Sequence, residues 1–131
     1  MRLSLIIRSV FIVLLIFAVT CAVATDKTIG KTRTLKILEP VVAGDTHLKA
    51  GEYRVTHVVE GEQHFMVLTG TSSTNKGEYR VKCQMKTLPS KASYDEQHLA
   101  PGPSGENILM SVTFQGDTVE HVFGASDKSK N

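Results

Sequence analysis

Apolar and polar residues alternate along several segments of the chain, which is the pattern of a β-strand with one buried and one solvated face. The clearest segment is 78–87. Its apolar positions share one parity and are Tyr79, Val81, Cys83 and Met85. The positions between them carry Arg, Lys or Gln. The pattern therefore predicts a strand that turns Cys83 towards the protein interior.

Four more segments show strand-like patterns and are joined in pairs. The predicted strands are residues 52–59, 63–69, 107–115 and 118–123. Segment 63–69 is apolar on both parities, as expected of a strand near the middle of a sheet. The turns around Gly61 and Gly116 contain the glycine that is typical of a β-hairpin connection, so each pair is predicted to form a hairpin.

An earlier strand is predicted at residues 34–38 and 41–42, interrupted by Pro40, which is tolerated at a sheet edge or a bulge. No window has helical spacing of apolar residues over ten or more positions, so no long helix is expected. About six to seven short strands in about 100 residues predict an all-β fold, a small antiparallel β-sandwich or barrel. The alternative is one curved sheet with a short helix in the long connection 89–105.

The first 24 residues differ from the rest of the chain. Arg2 and Arg8 precede ten consecutive apolar residues, VFIVLLIFAV, and residues 22–24 provide a small-x-small cleavage site. These are the three parts of a secretory signal peptide. The predicted organisation is a signal peptide over 1–24, a β-sandwich domain over 25–125 and a polar tail over 126–131.

The protein is accordingly expected to be exported, to the periplasm or outside the cell. A membrane-spanning helix needs about 20 apolar residues and would here include Arg8, so no transmembrane anchor is expected in the mature chain. The alternative is a lipoprotein anchored through Cys21, although Ala18 and Thr20 fit such a signal poorly. If Cys21 is removed with the signal, Cys83 is the one remaining thiol and no intramolecular disulfide can form.

Charge balance and missing motifs exclude some classes of function. Arg2 and Arg8 are the only charged residues before position 25, so the remainder has 13 Lys and Arg against 13 Asp and Glu. Nucleic acids and anionic membranes are bound by a basic excess or a basic face, so neither is an expected partner. The sequence has no G-x-S-x-G or H-E-x-x-H motif, and an enzyme is not expected.

One polar cluster lies in the long connection. Asp95, Glu96 and His98 stand close together there, and such groups can ligate metals or perform acid-base chemistry. A solvated polar loop is the simpler and preferred explanation, because loops commonly expose such residues. An enzymatic interpretation would require these three side chains to line a closed cavity.

The segment Leu-Lys-Ala-Gly-Glu-Tyr-Arg-Val at 48–55, preceded by Val-Ala-Gly-Asp at 42–45, resembles a motif of small exported bacterial proteins of uncharacterised function. Those proteins share Leu-x-Ala-Gly-x-Tyr-x-Val after a short strand and a glycine turn, usually with Pro where this chain has Lys49. The resemblance covers residues 33–69 and implies a β-sandwich-like exported domain. It implies no catalytic residues.

Five histidines in an exported β-protein raise the question of a metal site, because neutral imidazole binds copper and zinc. His57 and His64 lie on the two arms of the first predicted hairpin. A two-residue turn at Glu60-Gly61 would place them face to face, whereas a three-residue turn would pair His57 with Gln63 and separate the histidines. The second register gives the better apolar face and is preferred, so a copper or zinc site at His57 and His64 is the alternative hypothesis.

A soft ligand set for copper is also conceivable on the inner face of the predicted sheet. Its members would be His121, Cys83, Met85 and Met110. No two of them stand at a metal-ligand spacing in sequence, and Met and Cys on a buried face are usually core residues. The leading hypothesis is therefore a non-enzymatic exported module that binds a protein or cell-envelope component through exposed sheet edges.

Overall fold

The computed structural model describes residues 27–124, and every element in this part of the chain is a β-strand. The strands are β1 (Lys27–Ile37), β2 (Val41–Ala43), β3 (Thr46–Leu48), β4 (Gly51–Glu60), β5 (Gln63–Gly70), β6 (Gly77–Thr87), β7 (Glu96–Pro101), β8 (Asn107–Thr113) and β9 (Val119–Phe123). The all-β prediction is confirmed. Among the described residues there is no helix long and apolar enough to cross a membrane.

The strands form one open sheet in the order β1-β4-β5-β6-β9-β8-β2-β3, and β7 pairs with β8. Every described pairing is antiparallel except that of β2 with β8. The two predicted hairpins are present as β4–β5 and β8–β9. β5 lies between β4 and β6, as predicted for a strand inside the sheet; Met66 and Leu68 on one parity are buried, and Phe65 and Val67 on the other are partly buried.

One face of this sheet encloses the hydrophobic core. The core contains side chains from every strand except β7, including Leu35 of β1 and Leu48 of β3 at opposite ends of the strand order. Because both ends contribute to a single core, the sheet curves around it. Tyr53, Val55 and Leu68 are at most 1% exposed in this core, and burial of such side chains stabilises a fold by roughly 1.5–3 kcal/mol each.

The four alternating residues of β6 lie on one face, as predicted, but they are not equally buried. Val81 and Cys83 are each 3% exposed, and Tyr79 packs against the core from its edge. Met85 is 42% exposed. The inner face of β6 therefore extends from the core out to an open end of the sheet, where Met85 lies.

Residues 27–124 contain nine strands, where six to seven were predicted, because β3 and β7 were not expected and β1 and β2 are separate strands. β7 lies inside connection 89–105, where a loop was expected and a short helix was the alternative. Five of its six residues are exposed, so it lacks the apolar alternation by which strands are recognised. Its backbone pairing with β8 defines it instead.

Side chains tie β1 to the opposite end of the sheet. Arg33 of β1 forms an ion pair with Asp117 in the β8–β9 turn. Further along β1, the Nε2 of Gln97 in β7 donates a hydrogen bond to the backbone oxygen of Lys36 at 2.8 Å. These contacts hold the curved sheet around its core without a backbone ladder between β1 and β7.

The predicted signal peptide at 1–24, including Cys21, and the predicted polar tail at 126–131 lie outside the described residues.

Candidate metal centre

Four neighbouring strands place potential soft-metal ligands on the same inner face of the sheet. Residues directly opposite each other in an antiparallel ladder project to one face. Three such cross-strand pairs each join two potential ligands: His57 with Met66, His64 with Cys83, and Met85 with His121. Because β4, β5, β6 and β9 are consecutive in the sheet, these pairs form a band across it.

The register of the β4–β5 hairpin determines where the two predicted histidines lie. Glu60 pairs with Gln63 around a two-residue Gly61-Glu62 turn, so His57 pairs with Met66. Neither of the two registers considered from the sequence is formed, and the preferred one, which separated the histidines, is wrong. The positive φ of Gly61, 61°, lets this glycine begin the tighter turn.

The observed register brings His57 and His64 together as diagonal neighbours on one face. The Nε2 of His57 lies 3.0 Å from the Nδ1 of His64, a hydrogen-bonding distance. The rings stack with centroids 5.0 Å apart. This contact requires one of the two nitrogens to carry the hydrogen and the other to accept it.

Three buried residues form a tighter cluster. His57, Cys83 and His121 each offer a ligand atom within 4.8 Å of the other two. The His57 and His121 rings meet edge to face with centroids 5.1 Å apart. Two nitrogens and one sulfur are the donor types of a three-residue zinc or copper site. We refer to these three residues as the His-Cys-His cluster.

Burial keeps the members of the His-Cys-His cluster uncharged. Desolvation, with smaller contributions from His121 and His64, lowers the pKa of His57 from 6.5 to about 4. Desolvation also lowers the pKa of His121, against a smaller opposing effect of the Asp117 carboxylate. The same cause raises the pKa of the Cys83 thiol from 9.0 to about 11. At neutral pH both imidazoles therefore have an unprotonated nitrogen available to a metal.

One atom of the cluster lacks a partner. The buried Nδ1 of His121 makes no hydrogen bond within the described part of the chain, although the residue is only 5% exposed. Leaving a buried polar atom unpaired costs roughly 1–3 kcal/mol. Such an atom calls for an explanation, and a bound ion is one of the usual ones.

A pocket of about 430 Å³ lies beside the cluster and is lined by His57 and His121. Met66 and Met85, the cross-strand partners of these histidines, line it too. Met110 does not: it is 38% exposed and lies outside the core, so its predicted inner-face position is wrong. The soft ligand set proposed for copper is thus present in part, without Met110 and with His57 and Met66 added.

The polar cluster of β7 and its preceding loop does not surround a closed cavity. Glu96 and His98 are exposed and lie 3.2 Å apart, carboxylate oxygen to imidazole nitrogen. One carboxylate oxygen of Asp95 accepts a hydrogen bond from the backbone N–H of Gln115 at 2.7 Å. Asp95 therefore serves to fasten the loop to the end of β8.

Sequence reasoning missed the association of His57 with Cys83 and His121 because their separations follow no metal-ligand spacing. The sequence does show that each of the three residues lies on the buried side of its strand, because each alternates in step with core residues of that strand. Parity does not reveal that β6 and β9, which are distant in sequence, are neighbours.

Comparison of the chain with models of protein families, with curated proteins and with solved structures found no match.

Proposed function

We propose that the protein binds one transition metal ion, copper or zinc, through His57, Cys83 and His121. The observation that carries the proposal is the convergence of three buried ligand atoms within 4.8 Å, with the Nδ1 of His121 unpartnered. Bond lengths of about 2.0–2.3 Å to nitrogen and sulfur separate tetrahedral ligands by roughly 3.5 Å. Small side-chain movements are therefore sufficient to bind an ion.

The donor types select the class of metal. Calcium and magnesium require oxygen ligands, which the His-Cys-His cluster does not offer. Imidazole together with thiolate suits zinc and copper. The buried Met66, which stands opposite His57 in the ladder, adds a thioether to the same face and favours copper among the soft ions.

Protonation couples metal binding to pH. The two imidazoles are already neutral near pH 7, because burial lowers both pKa values. The Cys83 thiol, whose pKa is about 11, must lose its proton to bind as a thiolate. Metal binding then releases a proton, so the affinity increases with pH across the neutral range.

His64 supports the site from outside the His-Cys-His cluster. Its hydrogen bond to the Nε2 of His57 leaves the Nδ1 of His57 for the metal. A partner on the second ring nitrogen is the usual way in which a metal-binding histidine is oriented. His57 is accordingly the ligand, and His64 is the residue that orients it.

Metal content of the purified protein tests this proposal. After reduction of Cys83, incubation with zinc or copper(I) and desalting, we expect one metal ion per chain. The variants His57→Gln, Cys83→Ser and His121→Gln should each lose at least tenfold in affinity, while the exposed control His98→Gln should retain it. Retention of metal by all three variants, or a metal-free wild type, would refute the proposal.

A second proposal retains the leading sequence hypothesis, the binding of a protein or cell-envelope component outside the cytoplasm. The supporting observation is that β1, eleven residues long, pairs on one side with β4 and has no strand on its other side among the described residues. Unpaired strand edges accept a further strand.

A photo-crosslinker placed at Thr34 on β1 tests this proposal. We expect it to give a discrete crosslinked product in the native envelope, and a crosslinker at Thr69 on β5 to give none. Equal labelling from both positions would argue against edge binding.

A further inference from the structure

The pocket beside the metal centre has a cationic mouth, and we infer that it binds a small monovalent anion as the exogenous ligand of the metal. This inference rests on the proposed metal site. The pocket, about 430 Å³ in volume, is lined by both histidines of the His-Cys-His cluster and also by charged residues. These are Lys31, Arg33, Lys91 and Asp117.

The charges around the pocket do not balance. Arg33 and Asp117 form an ion pair and cancel each other. Lys31 and Lys91 form no ion pair with any described residue. The lining of the pocket therefore has a net positive charge, which attracts ligands of opposite charge. The chain as a whole is nearly neutral outside its first 24 residues, so this excess is local.

A β-bulge brings Lys31 to the mouth. The register of β1 against β4 shifts between Ile29 and Arg33, and Gly30 within this bulge has a φ of +75°. A bulge redirects the side chains that follow it, and bulges are frequent beside functional sites. Without the irregularity, β1 would continue its regular ladder past the pocket.

Backbone hydrogen bonds fix Lys91 through its neighbour. The N–H of Ala92 donates to the carbonyl of Asp117 at 2.9 Å, and the N–H of Gly116 donates back to the carbonyl of Ala92 at 2.8 Å. This reciprocal pair fastens the β6–β7 connection to the β8–β9 turn. Lys91 therefore belongs to a defined part of the pocket wall.

The coordination chemistry explains why the ligand is an anion. Three protein ligands leave one position of a tetrahedral ion for an exogenous ligand. His57 and His121 both line the pocket, so a ligand in the pocket lies beside the ion that they would hold. A divalent ion with one thiolate retains a net charge of about +1, to which the two lysines add. The carboxylate of Asp117 in the lining is paired with Arg33, and Val55, Met66 and Phe114 make the rest of the wall apolar.

Azide binding to the cobalt(II)-loaded protein tests the inference. Cobalt(II) replaces zinc in such sites and its visible spectrum reports the ligands. We expect one cobalt per chain and a saturable spectral change on titration with azide. Cobalt bound at one per chain with no spectral response to azide would overturn the inference but leave the metal site intact. A protein that binds copper(I) but neither cobalt nor zinc would overturn the anion site and leave the proposed function standing. A protein that binds none of the three metals would overturn both.

Lysine variants separate electrostatic attraction from simple access. Lys31→Gln and Lys91→Gln should each weaken azide binding about threefold, and the double variant about tenfold, with cobalt content unchanged. Binding of neutral imidazole to the same cobalt should stay at the wild-type level. The matched control is Lys76→Gln, an exposed lysine outside the pocket. Equal azide affinity in the double variant, or a parallel loss of imidazole affinity, would overturn the role of the two lysines.

Discussion

Burial gives each residue of the His-Cys-His cluster a protonation state that suits both the core and a metal. His57, Cys83 and His121 are all less than 9% exposed, and their neutral forms are favoured at pH 7 because charging them in this environment is costly. A neutral cluster can remain in an apolar core without a counter-ion. A metal ion supplies the positive charge that makes the thiolate favourable in the same place.

The reactivity of Cys83 follows from this environment. The side chain is 3% exposed, and a pKa of about 11 instead of 9.0 lowers the thiolate fraction near pH 8 about a hundredfold. We expect a thiol reagent to label the native, metal-free protein at least a hundred times more slowly than the urea-unfolded chain. Labelling within tenfold of the unfolded rate would show that the thiol is accessible and would contradict its inward position.

The lowered pKa of His57 makes the stability of the metal-free protein sensitive to acid. Between pH 6.5 and about pH 4, His57 is protonated in the unfolded chain but not in the native state, because burial lowers its pKa from 6.5 to about 4. The free energy of unfolding is therefore fully retained above pH 6.5 and falls as the pH decreases towards 4. The loss attributable to His57 is about 3 kcal/mol at most, and His121 acts in the same direction.

Urea unfolding at pH 7.5 and pH 4.5 measures this dependence. His57→Gln should have a smaller difference between the two pH values than the wild type, because glutamine does not titrate. His98→Gln, which removes an exposed histidine, should behave as the wild type does. An unchanged pH dependence in His57→Gln would show that His57 is not the source of the acid sensitivity.

At the scale of elements, the β5–β6 connection depends on one buried amide. Asn75 is 1% exposed, and its side chain accepts hydrogen bonds from the N–H and hydroxyl of Ser72. Its amide nitrogen donates to the carbonyl of Glu52 at 2.8 Å, which joins the turn to the start of β4. A Cβ at position 70 would lie 1.8 Å from the Asn75 carbonyl oxygen, so the close approach requires Gly70.

Replacement of this amide should destabilise the whole sheet. Asn75→Ala removes the acceptor of the Ser72 N–H and one donor to the Glu52 carbonyl, which keeps its hydrogen bonds from Thr71. We expect a loss of about 1–3 kcal/mol in the free energy of unfolding. The neighbouring Lys76→Ala, at an exposed position of the same turn, should change it by less than about 0.5 kcal/mol. Similar effects of the two substitutions on the urea midpoint would show that Asn75 is not the anchor of the turn.

Strands with regular alternation could be predicted from the sequence because their pattern records one buried face. β4 and β6 were located in this way, and β5, β8 and β9 were located from apolar segments beside glycine turns. The ends of all five differ from the predicted ones by at most two residues. β7 could not be found because backbone pairing with β8, and not burial, holds it in the sheet. β3 is three residues long, too short for a pattern to be distinguished from chance.

Prediction of the candidate site would have required two facts that the alternation of apolar and polar residues does not give. The first is the β4–β5 register, where a shift of one residue moves a side chain to the other face. The apolar pattern favoured a three-residue turn, while the molecule forms a two-residue Gly61-Glu62 turn that retains the apolar face and also brings His64 to His57. The second is the pairing of β6 with β9, since strands so distant in sequence have many other potential neighbours.

At the scale of the whole molecule, the His-Cys-His cluster connects three strands on the inner face of the sheet, in addition to ion pairs such as Arg80 with Glu60 and Lys86 with Glu120. His57 lies on β4, Cys83 on β6 and His121 on β9, so a bound ion would bridge across β5 and join the middle of the strand order. The outer strands β1 and β7 contribute no ligand. Gln97 of β7 donates a hydrogen bond to the Lys36 carbonyl of β1, and Arg33 of β1 pairs with Asp117 in the β8–β9 turn.

This arrangement predicts that the metal stabilises the sheet unevenly. At a free concentration a hundred times the dissociation constant, an ion that binds only the native state adds about 2.7 kcal/mol to the free energy of unfolding. Local opening of β4, β6 and β9 breaks ligand bonds, whereas opening of β1 or β7 does not. We therefore expect zinc to slow amide hydrogen exchange in β4, β6 and β9 more than in β1 and β7.

Two variants control this measurement. His98→Gln, at an exposed position, should show the same difference between strands, and His121→Gln should show none, because it lacks a ligand. Uniform protection of all strands in the wild type, or protection that survives in His121→Gln, would mean that zinc acts elsewhere than at the bridge between β4, β6 and β9.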